Sequence, residues 1–275
     1  MKTDFEAIWM DIAAIRAQAP LVHNITNYVV MNVTANALLS LGASPVMAHA
    51  EEEVEDMVRL AGALVINQGT LSAPWITSMR RAMYQARALD VPIVFDPVGA
   101  GATPFRTRVG VELIRIASPT ILRGNASEIR SLADALGAVS ANDGASTKGV
   151  DSRHPSEAAL EAARALSQEC GCVVCVSGAV DYCVQAEQTI EIHNGHALMP
   201  RVTGLGCVAS SLCGAFAAVN AEPLQAAAHA MAVMGICGEL AAEKATGPGS
   251  LQVHFLDALY NLNQDQIRAY LRAGG

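Results

Sequence analysis

Charged residues are scarce in this 275-residue chain. Asp, Glu, Lys and Arg make up 16% of it, whereas an ordinary globular domain carries about 25%. The net charge is −8 and no run of Lys and Arg occurs, which argues against nucleic acid as a partner, since nucleic-acid-binding proteins carry clustered basic residues. Apolar residues make up 52%, so we expect extensive burial, within the fold or between subunits.

Long apolar runs and a basic, apolar start are also missing. No uninterrupted apolar run reaches about 18 residues, the length that indicates a membrane span. Acidic Asp4 and Glu6 stand where a secretory signal needs basic residues. Seven cysteines are an odd number for such a chain, so we expect reduced thiols in a cytoplasmic protein with no membrane partner.

A repeating pattern fills the middle of the chain: a short apolar run, a polar or glycine cluster, then a helix. The runs cover residues 63–66, 91–95, 120–122 and 172–176. Near-continuous apolar strands alternating with helices indicate a parallel sheet covered on both faces. We therefore predict an α/β fold of three layers, αβα. Because ligands bind at the carboxyl ends of such strands, the polar clusters should share one edge.

The flanks of this repeat extend the prediction. The N-terminal flank is interpreted as helices over 3–17 and about 28–41 around a polar stretch at 21–27, with a strand at 44–47. The C-terminal flank is interpreted as strands at 181–184, 188–193 and 196–199, the last two joined by a hairpin turn at Asn194-Gly195. These strands would add an antiparallel extension to the mostly parallel sheet.

Three helices are predicted to close the chain, over about 207–219, 224–243 and 254–272, with residues 247–250 as the loop between the last two. Residues 139–154 are predicted to form a surface loop. We find no linker and no longer repeat, so residues 1–275 are expected to form a single domain.

A glycine turn leading into a helix, Gly204 to Cys207, is the strongest local feature. Gly204 and Gly206 lack a Cβ, which allows positive φ angles and a close approach to a ligand. The unpaired N–H groups and positive dipole of a helix start favour an anion, typically phosphate. Cys207 is then either a packing residue or, with the lowered pKa expected at a helix N-terminus, a base or nucleophile.

Other candidates follow the predicted strands. Asp96 could be a turn or cap residue or a ligand of Mg²⁺, which prefers carboxylate and phosphate oxygens. Asn125 and Glu128 have the spacing of a capping box, although Glu128 could also face a metal. Arg123 is a candidate phosphate clamp, and Ser177 could donate a hydrogen bond to phosphate.

Several Cys and His residues are interpreted as structural. Cys172 and Cys175 lie near Cys170, but in a strand they would point to opposite faces, which disfavours a zinc site. The histidines are assigned to an exposed turn and to the interior: His193 and His196 to the turn, His229 to the interior.

Read in order, eight segments resemble the hydroxyethylthiazole kinase family, which has the ribokinase-like fold. They are PLVHNITN (20–27), LGASPVM (41–47), NQGTL (67–71), DPVGA (96–100), RGNASEI (123–129), KGVD (148–151), GLGC (204–207) and GPGS (247–250). The resemblance implies ATP-dependent phosphorylation of the hydroxyl of 4-methyl-5-(2-hydroxyethyl)thiazole in thiamine biosynthesis and salvage. It also implies a Mg²⁺ requirement and a homotrimer with active sites between subunits.

Matching positions assign roles by resemblance. Met47 and Gly204 would contact the thiazole, with Asn24 or Asn27 nearby. ATP would contact Arg123, Ser177 and Gly206, and Mg²⁺ would be served by Asp96 and Glu128. Cys207 would complete the anion hole with Gly206 and act as the base.

Two positions depart from the family pattern: Leu205 stands where Thr is usual, and Ser177 replaces a more frequent Thr. The alternatives are a hydroxymethylpyrimidine or pyridoxal kinase of the same fold, an ATP-dependent dehydratase of hydrated nicotinamide cofactors, and a non-catalytic thiazole-binding protein. The set of Asp96, Glu128 and Cys207 favours a kinase.

Overall fold

A computed structural model describes residues 4–138 and 155–274, in which α-helices cover a nine-stranded sheet. The strands are β1 Leu21–Ile25, β2 Ser44–Val46, β3 Ala63–Asn67, β4 Ile93–Asp96, β5 Ile121–Asn125, β6 Val173–Ser177, β7 Asp181–Gln185, β8 Gln188–Ile192 and β9 Ala273–Gly274. The helices are α1 Phe5–Gln18, α2 Met31–Leu41, α3 Val54–Leu60, α4 Ala73–Ala88, α5 Pro104–Ile116, α6 Ala126–Leu136, α7 Pro155–Cys170, α8 Leu205–Ala217, α9 Pro223–Ala242, α10 Pro248–Asn261 and α11 Gln264–Tyr270.

The sheet confirms the predicted parallel core with an antiparallel extension. Its strand order is β2-β1-β3-β4-β5-β6-β7-β8-β9. All pairings from β2 to β6 are parallel, and those from β6 to β9 are antiparallel. In the parallel part Asn67 lies opposite Asp96, and Asn125 opposite Ser177. The polar strand ends therefore share one edge, as the sequence predicts.

Two apolar cores, one on each face of the sheet, give the three layers. One core is formed with α1, α2, α8, α9 and α10, and the other with α3 to α7. Cys175 belongs to the first core and Cys172 to the second, so the two point to opposite faces as predicted. Within the described ranges, no group of three or more His, Cys, Asp or Glu side chains could hold a metal ion.

Helix α9 is the one described helix that is long and apolar enough to cross a membrane by length and composition. Its apolar window is 83% buried inside the fold. It is therefore a core helix on this structure.

The polar stretch at 21–27 includes the inner strand β1, which the sequence analysis missed. His23 and Asn24 are completely buried there. His23 Nε2 lies 2.7 Å from the Ala48 carbonyl oxygen, and Asn24 Nδ2 donates to the Val22 carbonyl oxygen at 2.9 Å. His23 Nδ1 has no partner among the described residues, but the other bonds satisfy most of the polar atoms, so the strand can be buried without being apolar throughout.

The predicted hairpin at Asn194-Gly195 and the strand at 196–199 are wrong. Asn194 instead holds the C-terminal segment: its Nδ2 donates to the Tyr270 carbonyl at 2.8 Å, and its Oδ1 accepts from Arg272 N at 2.9 Å. This brings β9, rather than residues 196–199, alongside β8. A short 3₁₀ turn, Met199–Arg201, follows instead. An Asn-Gly pair indicates a local turn only when no distant backbone competes for the amide.

The end of the chain also differs from the prediction. The single helix expected at 254–272 is two helices, α10 and α11. Residues 247–250 are the start of α10, where Pro248 occupies the first turn and needs no N–H partner. Helix α7 was not predicted. The surface loop predicted at 139–154 lies outside the described residues.

Helix α8 lies close to the sheet because Gly214 has no side chain. A Cβ at this position would lie 2.6 Å from Val65 Cγ2 and 3.1 Å from Val22 Cγ1. Both valines belong to buried strands beneath α8. This close contact fixes the distance between the helix and the sheet, and therefore the place where the helix N-terminus meets the carboxyl edge of the sheet.

We expect Gly214→Ala to lower the free energy of unfolding by about 1–3 kcal/mol, the usual cost of overpacking a core. Gly249→Ala, near the start of α10, is the matched control, because nothing lies within 4 Å of a Cβ there. It should leave stability unchanged or raise it, since Ala restricts the unfolded chain. Urea unfolding of both variants tests this; an equal effect in both would contradict the packing argument.

Candidate active site

The start of α8 lies at the carboxyl edge of the sheet. Gly204 caps the helix with a φ of +87°, a left-handed conformation that favours glycine. A Cβ here would also lie 2.8 Å from Val30 Cγ1. Leu205 is 4% exposed and packs in the core, so it secures the first turn by apolar contact. The N–H groups of that turn face the edge as an anion site.

Arg123 connects β5 to the start of α8. Its Nη1 donates to the Gly206 carbonyl oxygen at 2.9 Å, and a Cβ on Gly206 would come within 3.2 Å of the same nitrogen. Among the described residues, its Nε has no partner although it is buried. Burial lowers the pKa of the guanidinium, but the negative charge of Asp96, with smaller effects from other groups, raises it overall, so Arg123 stays cationic beside the anion site.

Asp96 is a buried carboxylate at the end of β4, 1% exposed. Its Oδ2 accepts from Ser210 Oγ at 2.7 Å and from Asn67 Nδ2 at 2.9 Å. Burial raises the pKa of Asp96 to about 6, although Arg123 and these hydrogen bonds oppose the shift. At neutral pH the group is therefore mostly ionised, and its hydrogen bonds within the described chain leave Oδ1 for another ligand.

Glu128 forms the predicted capping box. Asn125 N donates to Glu128 Oε2 at 2.9 Å, and Asn125 Oδ1 accepts from Glu128 N at 3.0 Å. The other carboxylate oxygen, Oε1, accepts from Gly99 N at 2.8 Å. Both oxygens are thus engaged with backbone, yet the negative charge raises the pKa of Asp96, which places the two carboxylates within one electrostatic site.

The expected lowering of the Cys207 pKa is wrong. Burial, together with the charge of Asp96, raises the pKa of this thiol to about 11. The Asn67 and Asn27 amides and the charge of Arg123 oppose this rise of the pKa, and Asn27 Nδ2 donates to Cys207 Sγ at 3.5 Å. A helix N-terminus favours a thiolate, whereas desolvation and a neighbouring carboxylate disfavour it.

A cavity of about 800 Å³ opens beside these groups. Arg123, Ser177 and the backbone from Gly204 to Gly206 line one side. The remaining wall includes residues that the sequence analysis missed or assigned elsewhere: Asp181, His196, Met231 and Met234. No local pattern marks them, because they come together from a hairpin, a loop and α9.

Three predicted residues, Met47, Asn27 and Asn24, lie on the β1 and β2 side of the site, and only Asn27 contacts Cys207. Met47 directly follows β2 and is half-buried. Asn27 is 4% exposed and lies against Cys207. Asn24 is turned towards α8 instead, where its Oδ1 accepts from Ser211 Oγ at 2.8 Å. Asn67 and Ser210, which bind Asp96, were not predicted; the position of Asn67 at a strand end was the available signal.

Comparison with known proteins gives consistent matches. The family model described as the hydroxyethylthiazole kinase family matches residues 12–265. A hydroxyethylthiazole kinase of Syntrophus aciditrophicus is 56% identical over 267 residues, covering 97% of this chain and 96% of that protein. The structure of a hydroxyethylthiazole kinase protein from Pyrococcus horikoshii matches with a TM-score of 0.89 at 46% identity, covering 98% of each chain.

A ribokinase-like superfamily protein of Enterococcus faecalis matches with a TM-score of 0.62 at 12% identity, covering 91% of this chain and 87% of the other. At that identity the match concerns the fold alone. Together with the sheet and its helical layers, it identifies the architecture as ribokinase-like.

The raised pKa of Asp96 predicts a pH effect on stability. Its folded pKa of about 6 exceeds the ordinary 3.8, so this group contributes stability at low pH that is lost as the pH rises through about 6. Asp96→Asn keeps an acceptor for Ser210 but removes the buried charge. We expect its unfolding free energy at pH 8 to equal or exceed that of the wild type, with a weaker decline between pH 4 and pH 6.

Urea unfolding between pH 4 and pH 8 measures this. Asp181→Asn serves for comparison, because burial also raises the pKa of Asp181 to about 6. An Asp96→Asn variant with an unchanged pH dependence would contradict the assignment.

Proposed function

Because the chain belongs to the hydroxyethylthiazole kinase family, we propose that it transfers the γ-phosphoryl group of ATP to the hydroxyl of 4-methyl-5-(2-hydroxyethyl)thiazole, in thiamine biosynthesis and salvage. The observation that carries the proposal is the grouping of Asp96, Arg123 and Cys207 around the start of α8. A carboxylate, a cation and a proton acceptor beside free N–H groups are what phosphoryl transfer to an alcohol requires.

ATP is assigned to the cavity, with its phosphates towards α8. Arg123 and Ser177 line that cavity together with Gly206, and Ser177 Oγ is held 3.4 Å from the Gly124 carbonyl oxygen. The cationic guanidinium and the N–H groups of the first turn would bind the phosphate oxygens. The absent side chain at Gly206 lets phosphate approach the helix while Arg123 stays in contact with it.

The donor set fits Mg²⁺. This ion takes one or two protein carboxylates and fills its remaining positions with water and substrate phosphate oxygens. Asp96 offers a carboxylate oxygen, and Glu128 adds negative charge while its own oxygens hold backbone. When bound, the ion would neutralise charge on the phosphates.

For the reaction, the substrate hydroxyl oxygen attacks the γ-phosphorus in line, forming a new P–O bond as the bond to the ADP oxygen breaks. Arg123 and the α8 N–H groups stabilise the charge on the transferring group. In a loose transition state the hydroxyl keeps its proton until late. The raised pKa leaves Cys207 mostly protonated at neutral pH, so we assign the ionised fraction of its thiol to accept that proton.

The thiazole is assigned to the β1 and β2 side of the edge, with Asn27, Met47 and Gly204 as contacts. Tyr28 and Val29, next to Asn27, are each 64% exposed although apolar. An exposed apolar patch beside a site is typical of a protein interface. This supports the proposal of a homotrimer in which a neighbouring subunit completes each site.

Two further proposals concern the whole chain. One continuous sheet, with helical layers on both faces, supports a single domain over residues 1–275.

The seven cysteines are free, and Cys175 Sγ and Cys183 Sγ lie 3.4 Å apart without a bond. Unbonded neighbouring thiols support a reducing compartment, the cytoplasm.

A substrate panel tests the activity. Purified protein with ATP and Mg²⁺ should release ADP with the thiazole alcohol, and mass spectrometry should show the alcohol phosphate. Hydroxymethylpyrimidine and pyridoxal are the competing alcohols, and hydrated NADH tests the dehydratase alternative. A higher kcat/KM with any of these three would overturn the proposed substrate.

Cys207→Ala should lower kcat by about 100-fold, the lower end of general-base effects, and change ATP affinity little. Wild-type kcat should rise with pH above neutrality, because the thiol pKa is about 11. Cys207→Asp supplies a carboxylate, whose ordinary pKa lies several units below that of a thiol, so it should retain or raise kcat and flatten the pH profile. Unchanged turnover in Cys207→Ala would remove the base role.

A further inference from the structure

A chain of side-chain hydrogen bonds joins the thiol to the buried carboxylate. Asn27 Nδ2 donates to Cys207 Sγ at 3.5 Å and to Asn67 Oδ1 at 2.9 Å. Asn67 Nδ2 in turn donates to Asp96 Oδ2 at 2.9 Å. Asn27, Asn67 and Asp96 are all at least 96% buried, so the chain is shielded from competing water. Asn27 and Asn67 are the two inner members of this hydrogen-bonded series.

Backbone donors fix the direction of both amides. Gly69 N donates to Asn67 Oδ1 at 2.9 Å, and Val29 N donates to Asn27 Oδ1 at 3.1 Å. A backbone N–H can only donate, so each amide oxygen must face it. Each amide nitrogen must therefore face the next member of the chain. An amide flip would set donor against donor at these contacts, so this polarity is fixed by the fold.

Gly69 shows how closely the hydrogen-bonded side chains are packed. A Cβ at this position would lie 2.5 Å from Asn27 Nδ2 and 2.8 Å from Asn27 Cβ. Any side chain at residue 69 would therefore displace the Asn27 amide. The glycine allows Asn27 to bind Asn67 and Cys207 at the same time.

We propose that Asn67 is a positioning residue: through Asn27 it directs an N–H group at the Cys207 sulfur, and through its own Nδ2 it holds Asp96 so that Oδ1 faces the phosphate site. The proposal rests on the proposed phosphoryl transfer for its catalytic meaning. Groups that orient a metal-binding carboxylate commonly change activity by about 10- to 100-fold when they are removed. Asn67 would do this for the carboxylate and the thiol together.

The main test is a double-mutant cycle of Asn67→Ala, Asn27→Ala and the combined variant. The first readout is the iodoacetamide alkylation rate of Cys207 in protein without nucleotide or metal, followed by peptide mass spectrometry. Half-buried Cys170 is the internal reference in the same digests. Loss of one hydrogen bond should slow alkylation of Cys207 by about 2- to 10-fold. Because Asn67 holds the Asn27 amide, the combined variant should be slowed by less than the two single effects together.

The second readout is kinetic. Asn67→Ala should lower kcat with the thiazole alcohol by about 10- to 100-fold, while the KM for ATP stays near the wild-type value. Asn261→Ala, which removes an exposed amide on α10, is the matched control and should change neither readout. Additive effects of Asn27→Ala and Asn67→Ala on alkylation, or wild-type kcat in Asn67→Ala, would overturn the proposal.

Gly69→Ala covers the case in which Asn67→Ala does not fold. It keeps the Asn67 side chain, and the three atoms nearest to the added Cβ all belong to Asn27. It should therefore slow Cys207 alkylation as Asn27→Ala does; an unchanged rate would overturn the proposal. The alkylation assay needs no substrate. A wild-type protein that fails to phosphorylate the thiazole alcohol would therefore count against the proposed function, and the alkylation cycle would still decide the role of Asn67.

Discussion

The buried carboxylate of Asp96 is the constraint around which the site is arranged. A carboxylate that is 1% exposed needs partners, because an unpaired buried charge is costly. Its partners come from three different elements: Asn67 from β3, Ser210 from α8 and the charge of Arg123 from β5. Satisfying this one group therefore fixes the position of α8 relative to the sheet edge.

The same arrangement explains why the folded protein keeps an unfavourable charge. Desolvation still outweighs the partners of Asp96 and raises its pKa to about 6. Sites that bind phosphate and metal commonly retain such strain because the ligand relieves it. Burial also raises the pKa of Asp181 to about 6, and the charges of Asp96 and Asp181 both act on the Arg123 guanidinium. Incoming phosphates would add further negative charge beside it.

Close backbone approaches make this geometry possible. Gly214 lets α8 lie against Val65 and Val22, Gly204 turns the chain into the helix, and Gly206 leaves room for Arg123. Each of these contacts involves a residue distant in sequence. Gly214 sets the distance between α8 and the sheet, Gly204 sets where the helix begins, and Gly206 sets its contact with Arg123. The position of Cys207 follows from these three.

The sequence by itself determined the fold class and the meeting of several candidate residues at one edge of the sheet. Apolar runs alternating with helices specify a parallel sheet, and the sheet brings Asp96, Arg123 and Ser177 to one edge because parallel strands end on the same side. The capping box of Asn125 and Glu128 was also predictable, since it depends on local spacing alone.

Tertiary structure decided what depends on distant partners. Strand β1 contains buried polar side chains, and a loop and α8 supply partners for His23 and Asn24, so its composition resembles a turn. Asn194 hydrogen-bonds to the backbone of the C-terminal segment instead of forming the turn of a hairpin. The direction of the Cys207 pKa depends on burial and on Asp96, which lies 111 positions earlier in the chain. Local sequence patterns carry no information about such long-range desolvation and charge.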